Sequence, residues 1–149
     1  MAAGNAFEMD YAGFVGTMNI LVVDPTDPLT PSNVIELNDP WQINVHWEVN
    51  GPNAPLLGGD WFVTAYLDDR DGVATSSGPV APTISIPVSS TPAWPLPRNY
   101  NTVINVPAGR ITEGLYELTV AIVYENTGIK FSVAGFSDGP TLQFYNQGP

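Results

Sequence analysis

The segment WQINVHWEVN, residues 41–50, alternates between apolar and polar side chains without an exception. In an extended strand, successive side chains point to opposite faces, so this pattern places every apolar residue of the segment on one face. A helix would distribute the same residues around its whole circumference. The segment therefore predicts a β-strand with one face in a core and one face in water.

The same period of two recurs along the rest of the chain. It is clearest in GLYELTVAIVYEN, residues 114–126, where Tyr116, Leu118 and Val120 begin one apolar face. No segment has the period of an amphipathic helix, and weaker matches bring the predicted strands to about nine. These weaker strands are 17–23, 34–37, 61–68, 83–88, 102–106, 129–136 and 141–145. Near the end, the glycines of AGFSDGP predict a bulge or corner.

Two connections are rich in proline, DPTDPLTPSN and PVSSTPAWPLPRN. Proline excludes a helix interior and an inner strand, so both segments predict surface crossovers between sheets. Many short strands with such crossovers favour an all-β fold, a two-sheet antiparallel β-sandwich. We predict a single sandwich domain at 17–149, with 1–16 as either a first strand or an arm that packs on a neighbouring molecule.

A sandwich of this kind resembles a known superfamily. Trp47 lies on an early strand, the strand from Trp61 to Leu67 follows the loop NGPNAPLLGGD, and Tyr116 begins a long strand directly after a loop. These features resemble immunoglobulin-like and fibronectin type III-like sandwiches, in which a tyrosine near the start of strand F forms a tyrosine corner. The chain lacks the two cysteines of antibody domains. The resemblance implies the fold and no particular function, because such folds host many activities.

The charge of the chain excludes several partners. Fifteen acidic residues stand against four Lys and Arg, a formal net charge of −11. Such a field repels nucleic acid and anionic membranes, so neither is an expected partner. The first residues lack the pattern of a secretory signal, and no apolar run reaches the roughly 18 residues of a membrane helix. A cytoplasmic protein is the default expectation, with a cell-surface or virion component left open.

An acidic cluster in YLDDRDGVATSSGP raises the question of a cation site. Its carboxylates are Asp68, Asp69 and Asp71. An EF-hand loop aligned on the glycine that follows would have leucine in the first position and glycine in the twelfth, so that motif fails. We favour an acidic turn and keep a calcium site at these three residues as the alternative. No other cofactor is expected.

Catalytic chemistry has little support in the sequence. His46 is the only histidine, and it lies on the polar side of its strand between Asn44 and Glu48. The chain has no cysteine, and no serine stands at a recognisable nucleophile elbow. We predict that the protein is not an enzyme.

Three aromatic residues are the candidate binding residues. The alternation along 61–68 turns Phe62 and Tyr66 outward, and Trp94 lies in the second proline-rich segment. Exposed aromatic rings can stack on sugars or form a protein interface. The structural alternative is that Trp94 folds over Phe62 and Tyr66 and covers them.

Two functions remain open. The preferred one is a structural or protein-interaction module, with self-association as one form of it, since outward aromatics, low charge density, and Pro87 and Pro107 beside edge strands suit a surface that meets protein. The alternative is a carbohydrate-binding module that uses Tyr66 and Trp94, assisted by calcium in the acidic loops.

Overall fold

The computed structural model describes residues 5–6, 15–24, 27–31, 34–52, 54–69, 78–109, 111–126 and 129–145. Apart from two 3₁₀ turns, at Ala54–Leu56 and Val88–Ser90, all regular structure in these ranges is extended. None of the described helical segments has the length and apolar character needed to cross a bilayer.

The strands form two sheets. Sheet A has the order β1-β2-β5-β9, with β3 paired to β2, and sheet B has the order β4-β11-β10-β6-β7, with β8 paired to β6. Only the pairing of β11 with β4 is parallel among the described strands. The strands are β1 Asn5–Ala6, β2 Val15–Asp24, β3 Asp27–Pro31, β4 Val34–Glu36, β5 Trp41–Asn50, β6 Asp60–Asp69, β7 Gly78–Pro79, β8 Ile84–Pro87, β9 Arg98–Val106, β10 Gly114–Asn126 and β11 Ile129–Tyr145.

The predicted all-β, two-sheet sandwich is confirmed, with differences in the strand list. The predicted strands 129–136 and 141–145 are one strand, β11, and its register with β10 shifts between Glu117 and Thr119, where the bulge was predicted. The strands that sequence missed, β1, β3 and β7, have two to five residues. Such short segments do not show a period of two.

The proline-rich segments carry the chain between the sheets, as predicted. The first contains β3, which pairs only with β2, so its prolines stand on an edge strand. The second runs from β8 in sheet B to β9 in sheet A, and its Trp94–Pro95 and Leu96–Pro97 peptide bonds are cis.

The first sixteen residues are described only in part. Asn5 and Ala6 form β1, which pairs with β2 of the same chain, opposite Met18 and Thr17. The other residues before Val15 lie outside the described residues. The prediction of an arm that packs on a neighbouring molecule is therefore not tested beyond β1.

The core lies between the sheets and contains a cluster of four aromatic rings from four strands. Trp47 stacks on Tyr100 with ring centroids 5.5 Å apart, and Trp61 meets Trp47 edge-on at 6.4 Å. Tyr124 adds a tilted contact with Trp61 at 5.2 Å. Each such pair contributes about 0.5–1.5 kcal/mol beyond the burial of its area. The cluster therefore joins β5 and β9 of sheet A to β6 and β10 of sheet B.

Tyr116 fixes the loop that precedes β10. Its side chain is fully buried, and its hydroxyl donates a hydrogen bond to the carbonyl oxygen of Thr112 at 3.0 Å. The Thr112 hydroxyl lies 2.8 Å from the same phenol oxygen. A tyrosine that bonds back to the backbone a few residues upstream is the tyrosine-corner geometry. The predicted role of Tyr116 is confirmed.

Candidate functional site

The outer face of sheet B carries two of the predicted binding residues. Along β6 every second side chain is buried, beginning with Trp61 and Val63. Phe62 and Tyr66 lie on the opposite face. Tyr66 is 40 % exposed and Phe62 is half-buried. Both therefore face outward, as the sequence predicts.

Strand β10 extends this surface. Its outward residues lie beside those of β6, and among them Ala121 is buried. We call the six facing residues the outer-face patch. They are Phe62 opposite Val123, Thr64 opposite Ala121, and Tyr66 opposite Thr119. The patch is mostly apolar, and the Thr64 hydroxyl is hydrogen-bonded to that of Thr83 at 2.7 Å.

An acidic pair stands at each end of the outer-face patch. The register places Asp60 opposite Glu125 at one end and Asp68 opposite Glu117 at the other. Eight residues separate the two pairs along β6, which is roughly 27 Å at the rise of a strand. Like charges directly opposite each other on neighbouring strands are unfavourable. Each end of the patch therefore carries two carboxylates, and at the Asp60 end Lys130 of β11 lies opposite Glu125 on the other side.

The three residues of the predicted cation site are placed only in part. The strand β6 includes Asp68, as the predicted strand 61–68 does, and continues to Asp69, which pairs with Tyr116. The prediction of a turn is therefore wrong for Asp69. The ladder with β10 outweighs the low strand propensity of aspartate. Asp71 lies outside the described residues. Within the described ranges, no group of three or more metal-ligating side chains comes together, and the calcium site stays a prediction.

Among the described residues, Trp94 is not stacked over the aromatic rings of the outer-face patch. Its side chain is 65 % exposed, and among the described aromatic contacts it has none with Phe62 or Tyr66. Its connection begins at Val88, whose N–H donates to the carbonyl of Gly59 at 2.9 Å. Trp94 therefore belongs to the loop that starts at the Asp60 end of the patch.

A buried arginine holds that end of the sandwich together. Arg98 is 4 % exposed, and its Nη2 donates to the carbonyl oxygens of Val88 at 2.8 Å and Thr91 at 3.0 Å. Its Nη1 donates to the carbonyl oxygens of Ala54 at 3.2 Å and Leu57 at 3.5 Å. A buried cation is tolerated only when its donors are satisfied, and here four backbone oxygens and the Thr91 hydroxyl accept its hydrogen bonds. We call this arrangement the arginine clamp.

The sequence contained a signal for the arginine clamp that our prediction did not use. The alternation of β9 places Arg98 on the inward face with Tyr100, where a charged side chain is unusual. The clamp ties the turn that carries Leu56 to the loop that carries Trp94. Both side chains are exposed, Leu56 by 80 %.

A small cleft opens at the junction of β2, β4, β5 and β11. Its volume is about 70 Å³, and its walls include Glu36, Asp39, Trp41 and Tyr145. Glu36 is buried, and its carboxylate accepts hydrogen bonds from the backbone N–H of Asn38 at 2.6 Å and from the Asn38 side chain at 3.1 Å. The cleft has room for about two water molecules.

The outer face of sheet A is polar, as the alternation of β5 predicts. His46 Nδ1 lies 2.8 Å from the side-chain oxygen of Asn101, and Gln42 donates to Asn105 at 2.8 Å. His46 is thus one member of a row of polar side chains on a partly exposed face.

No protein-family model matches the chain, and no curated protein matches it by sequence. Among solved structures it is similar to the CARDB domain of a Pyrococcus furiosus protein, solved in complex with di-metal ions. The TM-score is 0.50 at 11 % identity, over 93 % of this chain and 100 % of that one. The chain has an immunoglobulin-like fold. At this identity the likeness concerns the fold alone.

A second solved structure, a β-glucosidase from Listeria innocua in complex with glucose, has a TM-score of 0.46 at 11 % identity. The match covers 87 % of this chain and 16 % of the glucosidase. A likeness this weak carries no argument.

The similarity to the CARDB domain confirms the immunoglobulin-like resemblance at the level of the fold, and its fibronectin type III form is not shown.

Proposed function

We propose that the protein is a non-enzymatic protein-interaction module that binds its partner on the outer-face patch. The observation that carries this proposal is the apolar patch between two acidic pairs, Asp60 with Glu125 and Asp68 with Glu117. The matching partner is a protein segment with apolar side chains in its centre and a Lys or Arg near each end. Aromatic centres with charged rims are common in protein interfaces.

The charges support this choice of partner. Each acidic pair has two carboxylates on neighbouring strands, so a cation placed between them would relieve their repulsion. The net charge of −11 would also raise the association rate of a basic partner, and this effect would weaken with salt.

Two observations support recognition rather than catalysis. The described clefts are small, about 70 Å³ in the larger case, whereas sites for small molecules usually enclose roughly 300–1,000 Å³. The ring of His46 is hydrogen-bonded to the side-chain oxygen of Asn101, an amide group that cannot act as a nucleophile or a base. An open sheet face suits a protein partner better than a small substrate.

The proposal is tested with a displayed library of random peptides selected against the protein. We expect the enriched peptides to contain aromatic or leucine residues flanked by Lys or Arg. Tyr66→Ser should weaken their binding at least tenfold, because it removes the most exposed ring of the patch. Leu56→Ser, which removes an exposed apolar side chain elsewhere, is the matched control and should leave the affinity unchanged.

Charge variants test the ends of the patch. The double variant Asp60→Asn with Asp68→Asn should weaken the same peptides and reduce the salt dependence of binding, whereas Glu48→Gln on sheet A should do neither. The outer-face patch would be excluded as the binding site if Leu56→Ser weakened peptide binding. It would also be excluded if the Tyr66→Ser variant and the wild type bound the peptides with equal affinity. Binding of oligosaccharides that Trp94→Ala abolishes would favour the carbohydrate-binding alternative, and stabilisation by calcium would support its metal-assisted form.

A further inference from the structure

The edges of the two sheets differ in how well they are protected from pairing with another strand. Sheet B ends at β7 and β8, which contain Pro79 and Pro87, and on its other side at β4, which has three residues. Sheet A ends on one side at β1, which has two residues, and at β3, which contains Pro28 and Pro31. Short strands and prolines are the usual means of blocking an edge.

The remaining edge, β9, has neither protection. It has nine residues without proline, and within the described part of the chain it is hydrogen-bonded on one side only, to β5. Pro87 lies in an edge strand as predicted, but Pro107 follows β9 and leaves the strand intact. The only charged residue of β9 is Arg98, whose guanidinium is enclosed in the arginine clamp. A long, uncharged open edge is a template for another strand.

We propose that β9 pairs in antiparallel fashion with β9 of a second copy of this chain. A two-fold axis at Thr102 makes the strand complementary to itself, because no charge then meets a like charge. The pairs across the axis are Asn99 with Asn105, Tyr100 with Ile104, and Asn101 with Val103 of the second copy. Pairs of amides and of an aromatic with a β-branched residue are favourable across strands.

A second copy suits this edge better than the basic segment proposed for the outer-face patch. The edge has no carboxylate in a chain with fifteen acidic residues, so a basic segment gains nothing there. Nine paired residues on each strand would form about eight to ten hydrogen bonds between the copies. One strand edge is a small interface, and the copies repel through their net charge, so dimerisation should be reversible and stronger at high salt.

Sedimentation equilibrium over protein concentrations up to about 1 mM tests this proposal. We expect a monomer–dimer equilibrium that salt shifts toward the dimer. Val103→Glu should weaken dimerisation at least tenfold, because the two-fold axis brings the two copies of residue 103 diagonally close. The Val103 side chain is 43 % exposed on the outer face of sheet A, so the substitution should leave the monomer folded. Leu56→Glu, with the same added charge on a loop, is the control and should dimerise normally.

A cross-link tests the register. The chain has no cysteine, so a disulfide formed by Thr102→Cys must join two copies. Directly opposed residues in an antiparallel pair lie about 4.5–5.5 Å apart, within disulfide reach, and we expect a covalent dimer on mild oxidation. Asn19→Cys on β2 should stay monomeric.

A wild type that is monomeric throughout, or a dimer that Val103→Glu leaves unchanged, would overturn the proposal. Failure of dimerisation would not affect the proposed function. Residue 103 lies on sheet A, so the Val103→Glu variant should still bind the selected peptides. Conversely, loss of peptide binding in Tyr66→Ser should leave the dimer intact.

Discussion

At the scale of single residues, the backbone conformation at Gly59 requires a glycine. Its φ is +87°, a region that other residues rarely adopt, and a Cβ there would collide with the carbonyl oxygen of Glu125 and with Asn126. Neighbouring Gly58 has no positive φ, and a Cβ there would make an ordinary contact at 3.8 Å. The loop between β5 and β6 thus leaves no room for a Cβ against β10 at Gly59, but leaves room for one at Gly58. The sequence predicts a loop that includes this glycine pair but does not say which member is essential.

Gly59→Ala should therefore lower the free energy of unfolding by about 2–4 kcal/mol, through strain at positive φ and the collision with β10. Gly58→Ala should change it by less than about 1 kcal/mol. Denaturant unfolding of the two variants checks the prediction. Equal stabilities would show that the loop can move away from β10 at little cost.

Tyr124 predicts a pH dependence of stability. Burial raises the pKa of its phenol, whose hydroxyl donates a hydrogen bond to the carbonyl of Gly58. In the unfolded chain a tyrosine ionises near pH 10, so above that pH the native state holds a proton that the unfolded state has lost. The free energy of unfolding should thus be unaffected by this residue below about pH 10 and fall as the pH rises further.

Unfolding measured between about pH 8 and pH 11 tests this, since Tyr124→Phe removes the titrating group and should reduce the alkaline loss. Tyr66→Phe, which removes an exposed phenol, is the control. If both variants lose stability with pH as steeply as the wild type does, Tyr124 is not responsible.

At the scale of elements, the sequence predicts best the strands that have one face in the core and the other in water. In β5 and β10 the inward face meets the core and the outward face meets water, so the period of two is visible in the letters. The short strands β1 and β7 form because longer neighbours offer them a hydrogen-bonding edge. That information is non-local, and a window of sequence does not contain it.

The arginine clamp is the element-scale feature with the largest expected effect on stability. Arg98→Met would remove a donor from the carbonyl oxygens of Thr91 and Leu57, for which no second donor is described. The carbonyl oxygens of Val88 and Ala54 would keep the Tyr100 hydroxyl and the Leu57 N–H, so we expect a loss of about 2–4 kcal/mol in the free energy of unfolding. Arg98→Lys keeps the charge but supplies three donors in place of five, so its loss should be intermediate. Denaturant unfolding of both variants measures this order. A methionine variant as stable as the wild type would mean that the Ala54–Leu57 turn and the Val88–Thr91 turn hold without the clamp.

At the scale of the whole molecule, the sandwich separates three surfaces with different chemistry. Sheet B presents the outer-face patch, sheet A presents polar side chains and the open edge of β9, and the loops at the arginine clamp expose Leu56 and Trp94. The sequence predicts that Phe62 and Tyr66 face outward, because this follows from the period of β6. It does not predict the acidic pairs around them, because they depend on the register of β6 with β10.

The central claim is that the protein recognises a partner through the outer-face patch. Amide chemical shifts of the isotopically labelled protein, titrated with a peptide selected from the displayed library, test it most directly. We predict that the largest shifts fall on β6 residues 62–66 and β10 residues 119–123, with smaller shifts at the two acidic pairs. Shifts concentrated on sheet A, or on the loops that carry Leu56 and Trp94, would contradict the claim.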